Sequence, residues 1–168
     1  MIAVETLEAT PIGPFTVAVR GETVVATFFD KPGADPAAWL ARRHPGEAIE
    51  RRSPQSAAAA LLDAYFTDPD TDFSPLELAL EGTAFELKVW QALREIPCRE
   101  TASYGWVARR VGEPEAAQAV GRANGANPIP VIVPCHRVIG MDGSLTGFGG
   151  GLERKVWLLD HEQGGRLL

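Results

Sequence analysis

The run Ile129-Pro130-Val131-Ile132-Val133-Pro134-Cys135-His136-Arg137-Val138 constrains this chain more than any other stretch. Its apolar half reads as a strand. Pro134, which cannot donate to a sheet ladder, ends that strand and turns the chain where a thiol and an imidazole follow. Cys135 is therefore a candidate nucleophile. The thiolate is the reactive form of cysteine, and a neighbouring His, Lys or Arg lowers its pKa from about 8.5 into the range of about 3.5 to 7.5. His136 and Arg137 supply both kinds of group. The run fits a buried structural cysteine equally well, because free Cys is among the most buried residue types.

The chain's 168 residues suffice for one ordinary domain, or for a catalytic domain with a small companion. With 45% hydrophobic and 23% charged residues it has the composition of a soluble globular protein. No apolar stretch is long enough to span a bilayer, and Met1-Ile2-Ala3-Val4-Glu5-Thr6 has no basic region followed by an apolar one, so a membrane or secreted fate is not expected. Cys98 and Cys135 form neither a Cys-x-x-Cys pair nor a Cys/His ligand set, which leaves no support for a metal site or a disulfide and points to the reducing cytoplasm. The net charge of −6 argues against a general polyanion binder. It is unevenly spread: residues 1 to 83 carry 6 Lys+Arg and 13 Asp+Glu, or −7, and residues 84 to 168 carry 10 and 9, or +1. Any nucleic-acid surface belongs to the second half.

Alternation around Phe15, Val17 and Val19, a pause at Arg20-Gly21-Glu22-Thr23, and resumption at Val24, Val25 and Phe28 predict a β-hairpin. Ser53 followed by Pro54 predicts a helix start, with the helix running through Tyr65. Asp68 to Asp72 reads as a loop, followed by a short extended piece from Leu76 to Leu80. A capping box, Thr83 with Glu86, opens a helix on which Phe85, Val89, Trp90 and Leu93 share a face, and which ends at Ile96-Pro97. The fold class is α+β: a small N-terminal sheet-and-helix domain, residues 1–82, followed by a mainly helical domain, residues 83–168.

Ser103 predicts the cap of a helix Tyr104 to Val111 that Gly112 terminates, and Glu113-Pro114 opens a second helix, Glu115 to Asn124. Two short helices joined by a tight turn have the form of a helix-turn-helix. The second presents Ala116, Ala117, Ala119, Gly121 and Ala123. A helix with full side chains is about 10 to 12 Å across and the minor groove about 6 Å wide, so a helix stripped of bulk suits a widened minor groove. Close packing on another helix accounts for the same residues.

Read in order, Gly82-Thr83-x-Phe85, Val89-Trp90, Ile96-Pro97, Ser103-Tyr104-Gly105, Ala119-Val120-Gly121, Ala123-Asn124-Gly125, Asn127-Pro128, Pro134-Cys135-His136-Arg137-Val138 and Gly150-Gly151-Leu152 resemble the methylated-DNA-protein-cysteine methyltransferases, the O6-alkylguanine-DNA alkyltransferase family. The resemblance is dense from about residue 83 to 162 and looser before it. It implies a stoichiometric DNA-repair protein in which Cys135 accepts the alkyl group of O6-alkylguanine, with O4-alkylthymine as a further substrate, and which needs no cofactor. By the same resemblance Glu162 orients His136, which acts on Cys135 through a bridging water, Asn127 braces the thiol turn, and Tyr104 donates its hydroxyl to the purine. Pro130, Val138, Phe148, Gly149 and the loop Thr146 to Gly151 line the pocket. Tyr104, Ala117, Gln118, Ala119, Gly121, Arg122 and Asn124 meet double-stranded DNA through its minor groove. The protein is expected to act as a monomer.

Three positions depart from the family pattern. Gln118 stands where an arginine flanked by alanines usually replaces the flipped nucleotide, with Arg122 one turn later; Arg99 stands at a common glycine; and Phe148 replaces a frequent tyrosine. Two rival readings are a lesion-binding relative with weak or no transfer, against which the retained Cys135 speaks, and a cysteine hydrolase, for which His44 and His161 offer no motif.

Overall fold

The computed structural model describes residues 1–145 and 147–164 and divides into two compact units, Met1–Ala79 and Leu80–Leu168. The first is built on a four-stranded sheet of order β3-β2-β1-β4, from β1 (Ile2–Leu7), β2 (Phe15–Arg20), β3 (Thr23–Phe29) and β4 (Ile49–Arg52). The β2–β3 hairpin lies where alternation predicts it. Its neighbour β1 is antiparallel to β2 and parallel to β4, with Ile2 opposite Ile49. Helix α1 (Pro36–Arg43) packs by β4, and α2 (Ala57–Tyr65) packs on β1 and β2. Ile2, Val4, Ala18, Val25, Ala26 and Leu40 form a buried cluster, closed by Phe28, Trp39 and Ile49.

The cap of α2 is Ser56, not Ser53. Ser56 Oγ accepts from Ala59 N and donates to the buried Glu5 carboxylate at 2.6 Å, while Arg52 Nε holds the other Glu5 oxygen at 2.7 Å. A charged partner outweighs the favourable proline position at Pro54, and the helix starts three residues late. The piece around Leu78 bridges to Val24 at the edge of β3.

The second unit comprises α3 (Ala84–Leu93), a two-residue strand β5 (Ala102–Ser103), α4 (Tyr104–Arg110), α5 (Ala117–Gly125), a second short strand β6 (Val138–Ile139) and α6 (Leu152–Gln163). The capping box forms in full: Thr83 Oγ1 accepts from Glu86 N, and Glu86 returns the bond to Thr83 N. Gly82 is obligatory beside it, because a Cβ there would sit 2.6 Å from the Trp90 ring. Trp90 Nε1 donates to Ala123 O at 2.9 Å, fixing the end of α5 against α3. Helices α4 and α5 pack on each other and on α3 through Val107, Ala108, Val120 and Ala123, with Gly112 at φ +84 turning the chain between them. This is the helix-turn-helix. Among the described residues no helix is long and apolar enough to cross a membrane.

Candidate active site

The strand expected to deliver the thiol is absent. Residues 129 to 134 form a loop, buried except at half-buried Pro130, whose one ladder contact among the described residues is a bridge between Pro130 and Val133. Val131, β-branched and buried, takes the left-handed conformation at φ +75, which a strand does not allow. Pro134, at φ −81 and ψ 65, makes an inverse γ-turn in which Cys135 N donates to Val133 O at 2.8 Å. Cys135–Arg137 then form one 3₁₀ turn.

Asn127 grips the loop from inside: its Oδ1 accepts from Ile129 N at 2.9 Å and its Nδ2 donates to Val133 O at 2.8 Å. Two parallel strand pairs, Ala102 with Val138 and Ser103 with Ile139, set the entry to α4 beside the exit from the thiol turn. That pairing brings half-buried Tyr104 to the same region as Cys135.

His136 is wholly buried, and its Nε2 lies 2.8 Å from Glu162 Oε2. Arg137 closes on the same carboxylate, Nε to Oε1 at 2.8 Å and Nη2 to Oε2 at 3.0 Å, and its Nη1 reaches Ile96 O. Burial alone would raise the Glu162 carboxyl, but His136 and Arg137 outweigh it and hold the group well below the usual carboxylate range. Burial lowers His136, which is therefore neutral. With Nε2–H committed to Glu162, the lone pair is on Nδ1, which is buried and has no hydrogen-bond partner among the described residues.

The thiol itself contradicts the sequence expectation. Burial pushes Cys135 up to about 11, against smaller lowering by Asn127 and Lys155. His136 is uncharged and Arg137 is spent on Glu162, so neither acts as the activating cation. Lys155 takes that place, and the sequence reading missed it: its side chain is fully buried on α6 and Nζ donates to Val138 O at 2.6 Å. Its signal was present, since residues 155, 158, 159 and 162 form one helical face whose inward positions include a lysine and a glutamate. At neutral pH a thiol of pKa about 11 is ionised in about one molecule in 10⁴.

Arg99 adopts φ +78, donates Nη1 to Glu162 O at 2.9 Å and accepts from Gln163 Nε2, tying the turn before β5 to the end of α6. The bonds offset the left-handed conformation that a glycine takes freely. Of the pocket candidates, Val138 is buried, Pro130 and Phe148 are half-buried and Gly149 is exposed, while Thr146 lies outside the described residues. On α5, Gln118 and Arg122 are exposed, and Ala117, Ala119 and Gly121 are half-buried. Asn124 is not a surface residue: it is 5% exposed and turned to Cys135 O. Among the described residues no cluster of His, Cys, Asp and Glu is arranged to hold a metal.

A family model described as "6-O-methylguanine DNA methyltransferase, DNA binding domain" matches residues 84–164. The methylated-DNA–protein-cysteine methyltransferase of Salmonella typhimurium is 51% identical over 121 residues, 71% of this chain and 70% of its own. That of Mycobacterium tuberculosis is 45% identical over 163 residues, 97% of this chain and 93% of its own. A crystal structure of the Mycobacterium tuberculosis OGT in complex with DNA superposes with a TM-score of 0.83 at 42% identity, covering 97% of this chain and 94% of that one. With this likeness running through almost its whole length, the chain belongs to the methylated-DNA–protein-cysteine methyltransferase family.

Proposed function

We propose that the protein repairs double-stranded DNA by moving the alkyl group of O6-alkylguanine, and of O4-alkylthymine, onto Cys135, once per molecule. The observation that carries the reading is the buried series Cys135, His136, Glu162, with His136 Nδ1 left as an unpartnered base one residue from the thiol. The thiol proton passes through a water to Nδ1. Sγ forms a bond to the alkyl carbon, the carbon–O6 bond breaks, and its electron pair stays with the guanine. Tyr104 donates a hydrogen bond to the purine as charge develops there, and the base takes up a proton. Glu162 stabilises the imidazolium and Lys155 the thiolate. The product thioether has no hydrolytic route back to thiol.

Residues 83–168 hold all of this chemistry, with Pro130, Val138, Phe148 and Gly149 facing the extruded base. The outer face of α5 supports approach to the minor groove. A Cβ on Gly121 would meet the Tyr104 ring only at 3.8 Å, an ordinary contact, and one on Gly125 would meet nothing within 4 Å. Internal packing therefore does not demand glycine at either position, whereas close approach of a duplex does. Gln118 and Arg122 project from that face. Extrusion costs a few kcal/mol, least at a mispaired base, and this contributes to selectivity. The protein acts as a monomer in the cytoplasm. Relatives at 45–51% identity bear methyltransferase names, which favours transfer over lesion binding alone.

The test uses free O6-benzylguanine. Cys135→Ser abolishes benzylation and Cys98→Ser retains it, with the benzyl group located by peptide mass mapping. Benzylation of Cys98, or transfer by Cys135→Ser, contradicts the assignment.

A further inference from the structure

We infer that Asn124 is a positioning residue for alkyl transfer: from the last turn of α5, its side-chain amide fixes the carbonyl of Cys135 and with it the direction of the thiol. The inference rests on the transfer reading above and adds a residue to it.

Cys135 sits in a three-residue 3₁₀ turn, a conformation with poor hydrogen-bond geometry that does not by itself hold a side chain in one direction. Its carbonyl accepts from Val138 N within the turn and from Asn124 Nδ2 at 3.3 Å. Asn127, three residues after Asn124, holds Val133 O at 2.8 Å. The end of α5 and its exit turn thus grip the thiol segment at two points, on either side of Pro134. The grip has a fixed base, because Trp90 Nε1 bonds Ala123 O immediately before Asn124.

The environment argues against a packing role alone. Asn124 is buried, yet its Oδ1 has no hydrogen-bond partner among the described residues. A buried amide with one arm unpaired is a poor core residue beside Val120 and Ala123, where an aliphatic side chain leaves no polar atom unsatisfied. What the amide supplies, and an aliphatic group does not, is the bond to Cys135 O. The same helix presents Gln118 and Arg122 outward, so one rigid element carries both the proposed DNA face and a restraint on the nucleophile.

In-line displacement is sensitive to direction: a misplacement of about 1 Å costs about 10²-fold. Asn124→Leu removes the donor at similar volume, and Asn124→Ser removes its reach with little steric demand, so at least one variant is available folded. The folded variants are expected to react with free O6-benzylguanine at least tenfold more slowly on the high-pH plateau. The pH midpoint of the reaction should stay unchanged, because Asn124 directs the thiol and does not ionise it. Reaction of Cys135 with a small methanethiosulfonate, which approaches from many directions, should also stay unchanged. A folded variant with the wild-type benzylation rate overturns the inference. So does a shifted midpoint, or an equal change in the methanethiosulfonate rate, since either means that Asn124 governs ionisation or access. If the wild-type protein itself is not benzylated at Cys135, the transfer reading fails and takes this inference with it; loss confined to the variants leaves that reading standing.

Discussion

Burial opposes ionisation of the Cys135 thiol, and the groups packed around it offset only part of that cost. Holding a thiol at about 11 leaves about four pK units, or about 5 kcal/mol, to be overcome by ionisation at neutral pH. An unperturbed cysteine, already a few per cent thiolate at neutral pH, carries a much smaller burden. Among the described residues, Lys155 is the cation whose charge lowers the thiol. Lys155→Met should push Cys135 higher still and slow benzylation by a steady factor below about pH 10, with the deficit shrinking only as pH rises through 11 and beyond. A rate ratio that is constant with pH would assign Lys155 a role other than electrostatic.

Glu162 makes a second prediction at this scale. Its folded-state pKa lies below the ordinary 4.5, so the stability it contributes is complete above that value and is lost as pH falls below it. Glu162→Gln leaves Arg137 without its bidentate partner and should cost about 3 kcal/mol at pH 7. The gap between the thermal midpoints of the two proteins should hold above about pH 4.5 and begin to narrow as pH falls from there toward 3. A gap that stays constant through that range would mean the carboxylate's charge is not what stabilises the fold.

Among the elements, the helix-turn-helix and α6 divide the work. The last turn of α6 carries Glu162, and its first turn carries Lys155, so one helix presents both charged groups to the thiol turn. On the proposed reading, helix α5 offers its outer face to DNA. Glutamine at position 118 is neutral and shorter than arginine, and makes no charge-assisted contact to a duplex. Gln118→Arg should therefore speed repair of an O6-methylguanine duplex several-fold, or tighten its binding, and leave the free O6-benzylguanine reaction unchanged. Equal acceleration of both would place Gln118 in the pocket, and no effect on either would leave Arg122 as the inserting side chain.

For the molecule as a whole, the parts legible in the sequence are those specified by near neighbours. The Thr83–Glu86 capping box, the Ser103 cap, the Gly112 turn and the β2–β3 hairpin each depend on residues within a few positions. Strand β1 was missed because Glu5 interrupts its apolar pattern, and the partners that make Glu5 acceptable, Arg52 and Ser56, lie far along the chain. The apolar run 129 to 133 imitates a strand, since periodicity cannot distinguish a buried loop from one; only the backbone of Val131 decides. Cys135, His136, Glu162 and Asn127 were readable through the family resemblance. Lys155 was legible only as an inward lysine on one face of α6, and the inward turn of Asn124 was not legible, because what either meets depends on which helix face lies against the thiol.

A thioether that cannot return to thiol means that this protein is consumed by the reaction it performs. The most direct measurement incubates the full chain with excess duplex bearing one O6-methylguanine, counts restored guanines, and maps the protein by peptide mass spectrometry. One restored guanine per protein molecule and a single methyl group on the peptide containing Cys135 are expected. Many guanines restored per molecule with Cys135 unmodified, or a methyl group on Cys98, would contradict consumption at Cys135.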